Sequence, residues 1–224
     1  MSTGNDIVAL AATDNFRTCQ YRFYSRIVSP AELSLCDQPA GGGPPSPFDQ
    51  QRDWGLAFPS FVWLLWSIKE SVYKYVSRSN PALVFSPLKI PVSQLRTRND
   101  FYEGMVQYDQ VILYSRSFVT SETILTVVSD EQEFSQTRWG IHSIDASDYA
   151  SQSSRVRALA LNSVSAIFPG ISIRVVKAPD GPPVLRTDDM LPDIPLSLAH
   201  HDHYVAYSYR LPANSSSYRK SAAN

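Results

Sequence analysis

An α+β fold made of two similar halves is the class this chain predicts. Three observations carry it. Helical stripes of apolar residues run from about Phe58 to Val76 and again over 151–168. Runs rich in β-branched and aromatic residues lie at 105–129 and 194–211. A long helix followed by proline and a strand occurs at 58–92 and recurs at 151–177, with negligible identity between the two copies. The expected halves are 1–97 and 98–224, within the prior of roughly 100–200 residues per domain.

The elements follow in order. "DIVAL" (6–10) predicts a short buried strand. Asp14 or Asn15 is placed to cap a helix through "FRTCQYRFYSRI". "SPAEL" (29–33) is a helix start, with Ser29 at the N-cap, Pro30 at the first position and Glu32 closing a capping box. "QPAGGGPPSPFD" (38–49) has no periodicity and is expected to be an exposed, flexible loop. From Phe58 a helix carries Phe61, Leu65, Ile68, Val72 and Val76 on one stripe. "SNPALVFSPLKIPV" ends it and leads to a strand. A hairpin is expected in "MVQYDQVILYSR" with "ETILTVVS", and a further strand in "GIHSID". The second helix places Val156, Leu159, Ala160, Val164 and Ile167 on one face. Strands follow on either side of a turn at Asp180-Gly181, then two more in "IPLSLAHHDHYVAYSYRL", before a loose tail at 212–224.

Composition narrows the classes. Hydrophobic residues are 43% of the 224, enough for a sizeable core, and charged residues only 18%, which argues against a mainly disordered chain. Lys plus Arg total 20 against 21 Asp plus Glu, without the basic excess of a nucleic-acid binder. The two cysteines, Cys19 and Cys36, show no pairing pattern, so a reduced, cytoplasmic protein is expected. The N-terminus lacks the basic start and apolar run of a signal peptide, and "FVWLLW" is too short to span a bilayer.

Three polar clusters stand out. "GNDIV" places Asp6 at a strand start, where turn chemistry is its usual role. "WSIKESVYK" sets Lys69, Glu70 and Lys74 among aromatics on a helix. Glu70 points away from the apolar stripe, yet its own side carries Trp63 and Trp66. Glu70 and Lys74 at i,i+4 make an ordinary helical pair, but a carboxylate in such surroundings also suggests a buried partner or a metal. "LSLAHHDHYV" holds His200, His201, Asp202 and His203. They fall at a tight turn where neighbours do not converge on one ion, and no CxxC or HExxH accompanies them, so the segment is not read as a zinc site.

In this order the clusters resemble the 4′-phosphopantetheinyl transferase superfamily. "GNDIV", "RFYSRIVSPAEL", "WSIKESVYK", "GPPVL" and "LSLAH" follow the motif order of its holo-acyl-carrier-protein synthase branch. The helix itself is similar to the W-S-x-K-E-S-x-x-K of the surfactin-synthetase-activating branch. The likeness runs from Gly4 to Tyr209, except the Gly/Pro loop and residues about 100–150. It implies the transferase fold, with two α+β halves forming a pseudo-dimer in a monomer. It implies transfer of the phosphopantetheine arm of coenzyme A to a serine of an apo acyl or peptidyl carrier protein, with release of 3′,5′-ADP. Mg²⁺ would be held by Asp6 and Glu70. Glu70 and Lys74 would be catalytic, with the general base left open among Glu70, Lys74 and a metal-bound water. Lys69, Lys74 and His200 would contact coenzyme A. Arg22 and Arg26, one turn apart, would meet the acidic carrier, the alternative being a solvated basic face. Three departures are visible: Val8 where the longer branch has a second acid, Ser34 where short synthases often have Asp, and Ala199 where a hydroxyl usually precedes the histidine. They keep two alternatives open: a catalytically inactive relative that binds carrier or coenzyme A, and an unrelated α+β interaction protein.

Overall fold

A computed structural model describes residues 2–36, 56–177, 181–187 and 192–213. The 38–49 loop, Asp180 of the expected turn and tail residues 214–224 lie outside the described residues.

The elements are β1 (Gly4–Ala9), α1 (Asn15–Thr18), α2 (Tyr21–Tyr24), α3 (Pro30–Leu33), α4 (Phe58–Val76), β2 (Val92–Thr97), β3 (Tyr102–Tyr108), β4 (Val111–Val119) and β5 (Thr123–Ser129). They continue with β6 (Thr137–Ser143), α5 (Tyr149–Ser165), β7 (Ile173–Lys177), β8 (Pro183–Thr187), β9 (Ile194–His201) and β10 (Tyr204–Arg210). Two antiparallel five-stranded sheets form, in the orders β1-β5-β4-β3-β2 and β6-β10-β9-β8-β7. Each half is therefore a strand, a long helix and a four-strand meander whose last strand pairs with the first. This is the α+β fold of two similar halves, and the repeated helix–proline–strand pattern is its trace in the sequence. The expected boundary between 97 and 98 falls inside the first sheet, because β3, β4 and β5 hydrogen-bond in series from β2 back to β1. The halves part between Ser129 and Thr137.

The two sheets pack face to face, with α4 on the outside of the first and α5 on the outside of the second. Alternation along β1 explains why all six of its residues are buried. Val8 faces α4 in the first core, whereas Ile7 joins Leu125, Val127, Ala199 and Ala206 between the sheets. Burial of such aliphatic side chains contributes about 1.5–3 kcal/mol each. Gly4 has a specific reason. A Cβ there would lie 2.9 Å from the Tyr75 backbone nitrogen and closer still to the Ser71 carbonyl oxygen, so glycine lets α4 lie directly on β1.

The capping box at Ser29 and Glu32 is present, with Ser29 N donating to Glu32 Oε2 at 2.8 Å. The segment read as one helix through 16–27 is instead the two single turns α1 and α2, with an extended Gln20 between them. Tertiary contacts override its periodicity. Trp63 Nε1 donates to Thr18 Oγ1 at 3.1 Å, while Phe23 packs on Trp63 and Tyr24 on Phe58. Arg22 and Arg26 consequently do not share one helix; Arg26 lies in the turn after α2, though both stay exposed. Cys19 and Cys36 form no disulfide, and no helix among the described residues is long and apolar enough to cross a membrane.

Candidate functional site

The site grows from the contact between β1 and α4. With Gly4 admitting the helix, Asp6 lies opposite its last two turns. Lys74 Nζ donates to Asp6 Oδ1 at 3.1 Å and sits 3.8 Å from Glu70 Oε1, so one ammonium group lies between two carboxylates. Asp6 Oδ2 is buried with no hydrogen-bond partner. Burial raises the Glu70 carboxyl above the usual carboxylate range; Lys74 opposes this and the nearby Asp6 charge adds to it.

Lys74 also lines a cleft of about 230 Å³ between the end of α4, the start of α5 and the end of the β8–β9 ladder. Lys74, Arg78, Arg157, Lys177 and His200 face it, and no carboxylate lines it among the described residues. The chain's net charge is −1, so this wall is a local positive field in a nearly neutral molecule. Small-molecule sites run to about 300–1,000 Å³, so the cleft is sized to enclose one end of a larger ligand. His200 stacks edge-on against Tyr149, ring centroids 5.3 Å apart. Partial desolvation lowers its pKa, helped by Lys74 and His201, which favours the neutral imidazole although the residue remains largely exposed. The halves are tied together beside the site: Asn5 N donates to Ser197 Oγ at 3.1 Å, and Ala9 N to His201 Nδ1 at 3.1 Å.

Of the expected residues, Asp6, Glu70 and Lys74 come together, and His200 lines the same cleft as Lys74. Lys69 does not join them. Its side chain is fully buried, paired with Glu32 Oε2 at 2.8 Å and bonded to the Ile27 carbonyl. Adjacent helical residues point about 100° apart, so Lys69 turns to α3 while Glu70 turns to β1. Glu32 also accepts from Ser29 N and Val92 N, which makes a buried node joining α3, α4 and β2. Arg22 and Arg26 lie on α2 and its following turn, and neither lines the cleft. His201 faces β1 and His203 Nδ1 lies 3.2 Å from the Ile144 carbonyl, so the three histidines point to different partners.

The departures acquire locations. Val8 is in the aliphatic core under α4. Ser34 hydrogen-bonds to the Ala31 carbonyl, a local helix-end contact. Ala199 is buried between the sheets, on the strand face opposite to His200. A hydroxyl at that position would lie on the same strand face as Ser197, whose Oγ accepts from Asn5 N of β1. Arg78, Arg157 and Lys177 were not singled out from sequence, because no motif holds them; only the meeting of α4, α5 and β7 brings them together.

A divalent cation fits the carboxylate pair. Asp6 and Glu70 offer hard oxygen donors, and the orphaned Asp6 Oδ2 is a buried acceptor awaiting a cation or donor. No group of three or more His, Cys, Asp or Glu converges among the described residues. Two carboxylates plus ligand oxygens and water is the pattern Mg²⁺ prefers.

The family model described as the 4′-phosphopantetheinyl transferase superfamily matches residues 2–119. Those residues include Asp6, Glu70 and Lys74 and stop short of His200. No curated protein and no solved structure matches the chain.

Proposed function

We infer from the chain's membership of the 4′-phosphopantetheinyl transferase superfamily, to which it belongs, that it moves the phosphopantetheine arm of coenzyme A onto a serine of an apo carrier protein. One observation carries this reading: Lys74, bonded to Asp6 and beside Glu70, also lines a cationic cleft with His200 of the other half. A carboxylate pair next to a phosphate-sized basic cleft suits pyrophosphate chemistry, which is largely positioning and charge neutralisation.

In this reading Asp6 and Glu70 hold Mg²⁺, which when bound offsets charge on the pyrophosphate. Lys74, released from the carboxylates, turns to a phosphate oxygen. His200 contacts the 3′-phosphate or pyrophosphate as a neutral hydrogen-bonding group. The serine oxygen forms a bond to the β-phosphorus, the bond to 3′,5′-ADP breaks, and the serine proton passes to a base. Glu70 and Lys74 both stand where a proton acceptor is needed, and burial, which raises the Glu70 pKa, makes that carboxylate a stronger base than an ordinary one. Exposed Phe16 and Tyr21 beside Arg17, Arg22 and Arg26 support a docking face for an acidic carrier surface. The expectation of a pseudo-dimer is supported by two halves of one chain contributing to one cleft.

The test is direct. The protein is mixed with coenzyme A, Mg²⁺ and an apo carrier, and the carrier's intact mass is measured. Gain of the arm's mass supports transfer. Tight coenzyme A or carrier binding with no mass gain, for several carrier types, identifies a non-catalytic relative instead.

A further inference from the structure

Arg78 belongs to none of the motifs that mark this chain, yet it stands where the halves meet. It lies just past the end of α4, in the first half, and its guanidinium reaches the second. Nη1 donates to the Pro183 carbonyl at 3.3 Å and Nη2 to the Leu196 carbonyl. These two carbonyls have a particular history. The β8–β9 ladder pairs Leu185 with Ile194 and Val184 with Pro195, and then stops. The next pair would be Pro183 with Leu196, and a proline has no N–H to donate. The strands end their pairing there, and Arg78 supplies donors to both freed carbonyls.

That arrangement satisfies the strands but not the arginine. Its partners are neutral carbonyls, no carboxylate meets it among the described residues, and its Nε is buried without any acceptor. A largely desolvated cation without a counter-ion is unfavourable and normally marks a place for an anion. Burial alone lowers its pKa to about 10, which follows from the same isolation. The anion has a route in, because Arg78 lines the cleft beside Lys74, Arg157, Lys177 and His200.

We propose that Arg78 docks the end of the β8–β9 ladder onto the end of α4 and binds a phosphate of the ligand, which completes a charge left unmatched among the described residues. Anion binding and the register of the two halves are thereby coupled. The phosphate assignment rests on the transferase reading above; the need for an anion rests on Arg78 itself.

The experiment compares wild type, Arg78→Lys and Arg78→Gln by calorimetry with 3′,5′-ADP and with inorganic pyrophosphate, by thermal melting with and without each, and by transfer kinetics. Loss of affinity for both probes by tenfold or more in Arg78→Gln is expected, with partial recovery in Arg78→Lys. KM for coenzyme A should rise by a similar factor while kcat changes less than threefold. Pyrophosphate should raise the melting temperature of wild type more than that of either variant. Unchanged probe affinity in Arg78→Gln, with only a lower melting temperature, would reduce Arg78 to a structural strut and overturn the proposal. If Arg78→Gln does not fold, equal pyrophosphate stabilisation of Arg78→Lys and wild type overturns it as well. Absence of transfer by wild type counts against the functional reading alone, since the pyrophosphate comparison still decides the role of Arg78.

Discussion

Glu70 is held where its charge works against the fold. Its folded pKa lies above the ordinary value, so the folded protein keeps the carboxyl proton to higher pH than the unfolded chain does. In the window from about 4.5, the ordinary value, up to the raised value, stability falls as pH rises, and above it the loss is complete. Glu70→Gln should therefore melt at the same or a higher temperature than wild type at pH 7, the gap closing below pH 4.5, while transfer falls on the order of 100-fold or more. Melting curves at pH 4 and 7 beside intact-mass assays check both halves of this. A lower melting temperature at pH 7 would contradict the sign. His200 runs the other way in charge: its lowered pKa makes folding lose stability as pH drops below 6.5 toward that lowered value. His200→Ala should mainly weaken coenzyme A binding. His201→Ala should leave that affinity nearly intact and instead cost about 1 kcal/mol in urea denaturation, since it accepts from Ala9 N between the halves.

At the scale of elements, the approach of α4 to β1 and its anchoring to α3 decide whether the carboxylates meet. Gly4→Ala must push the helix backbone away from the strand, since the atoms in the way belong to Ser71 and Tyr75 main chain. A destabilisation of about 1–3 kcal/mol is expected, with loss of transfer although every site side chain is intact. Normal turnover in a fully folded Gly4→Ala would show that close approach is not needed. The Lys69–Glu32 pair is a second anchor. Lys69→Met leaves a buried carboxylate without its cation and should cost about 3–5 kcal/mol. Lys69→Met with Glu32→Gln should recover part of that, because the stranded charge is gone. A double variant no better than Lys69→Met, measured by urea denaturation, would refute the pairing as the source of the loss.

For the whole molecule, the proposed transfer requires a carrier to meet a cleft that both halves build. Arg22 and Arg26 are exposed, on the first half, and outside the cleft wall. Arg22→Glu with Arg26→Glu is expected to raise the KM for carrier about tenfold at low salt while coenzyme A affinity stays within twofold. Added salt should slow the wild type more than the double variant, since screening removes an attraction the variant no longer has. Loss of coenzyme A binding by calorimetry would instead move these arginines to the nucleotide.

Much of this was legible in the sequence, because local patterns report local physics. The stripes of Phe58–Val76 and 151–168, the Ser29 capping box, the hairpin turn at Asp202-His203 and the recurrence of helix, proline and strand all follow from short-range periodicity and turn chemistry. Glu70 among tryptophans was legible as a carboxylate needing a partner, though not that Lys74 reaches Asp6 across 68 residues. What only the tertiary structure decided depended on contacts between distant segments. Aromatics of α4 broke 16–27 into two turns; series pairing through β5 moved the boundary of the halves from 97 to beyond Ser129. Burial turned Lys69 from a phosphate ligand into the partner of Glu32. Arg78 meets the second half only because the β8–β9 ladder stops short of Pro183 and Leu196, whose carbonyls then take a side chain from the other half. A periodicity states which face a residue occupies; only packing states what that face meets.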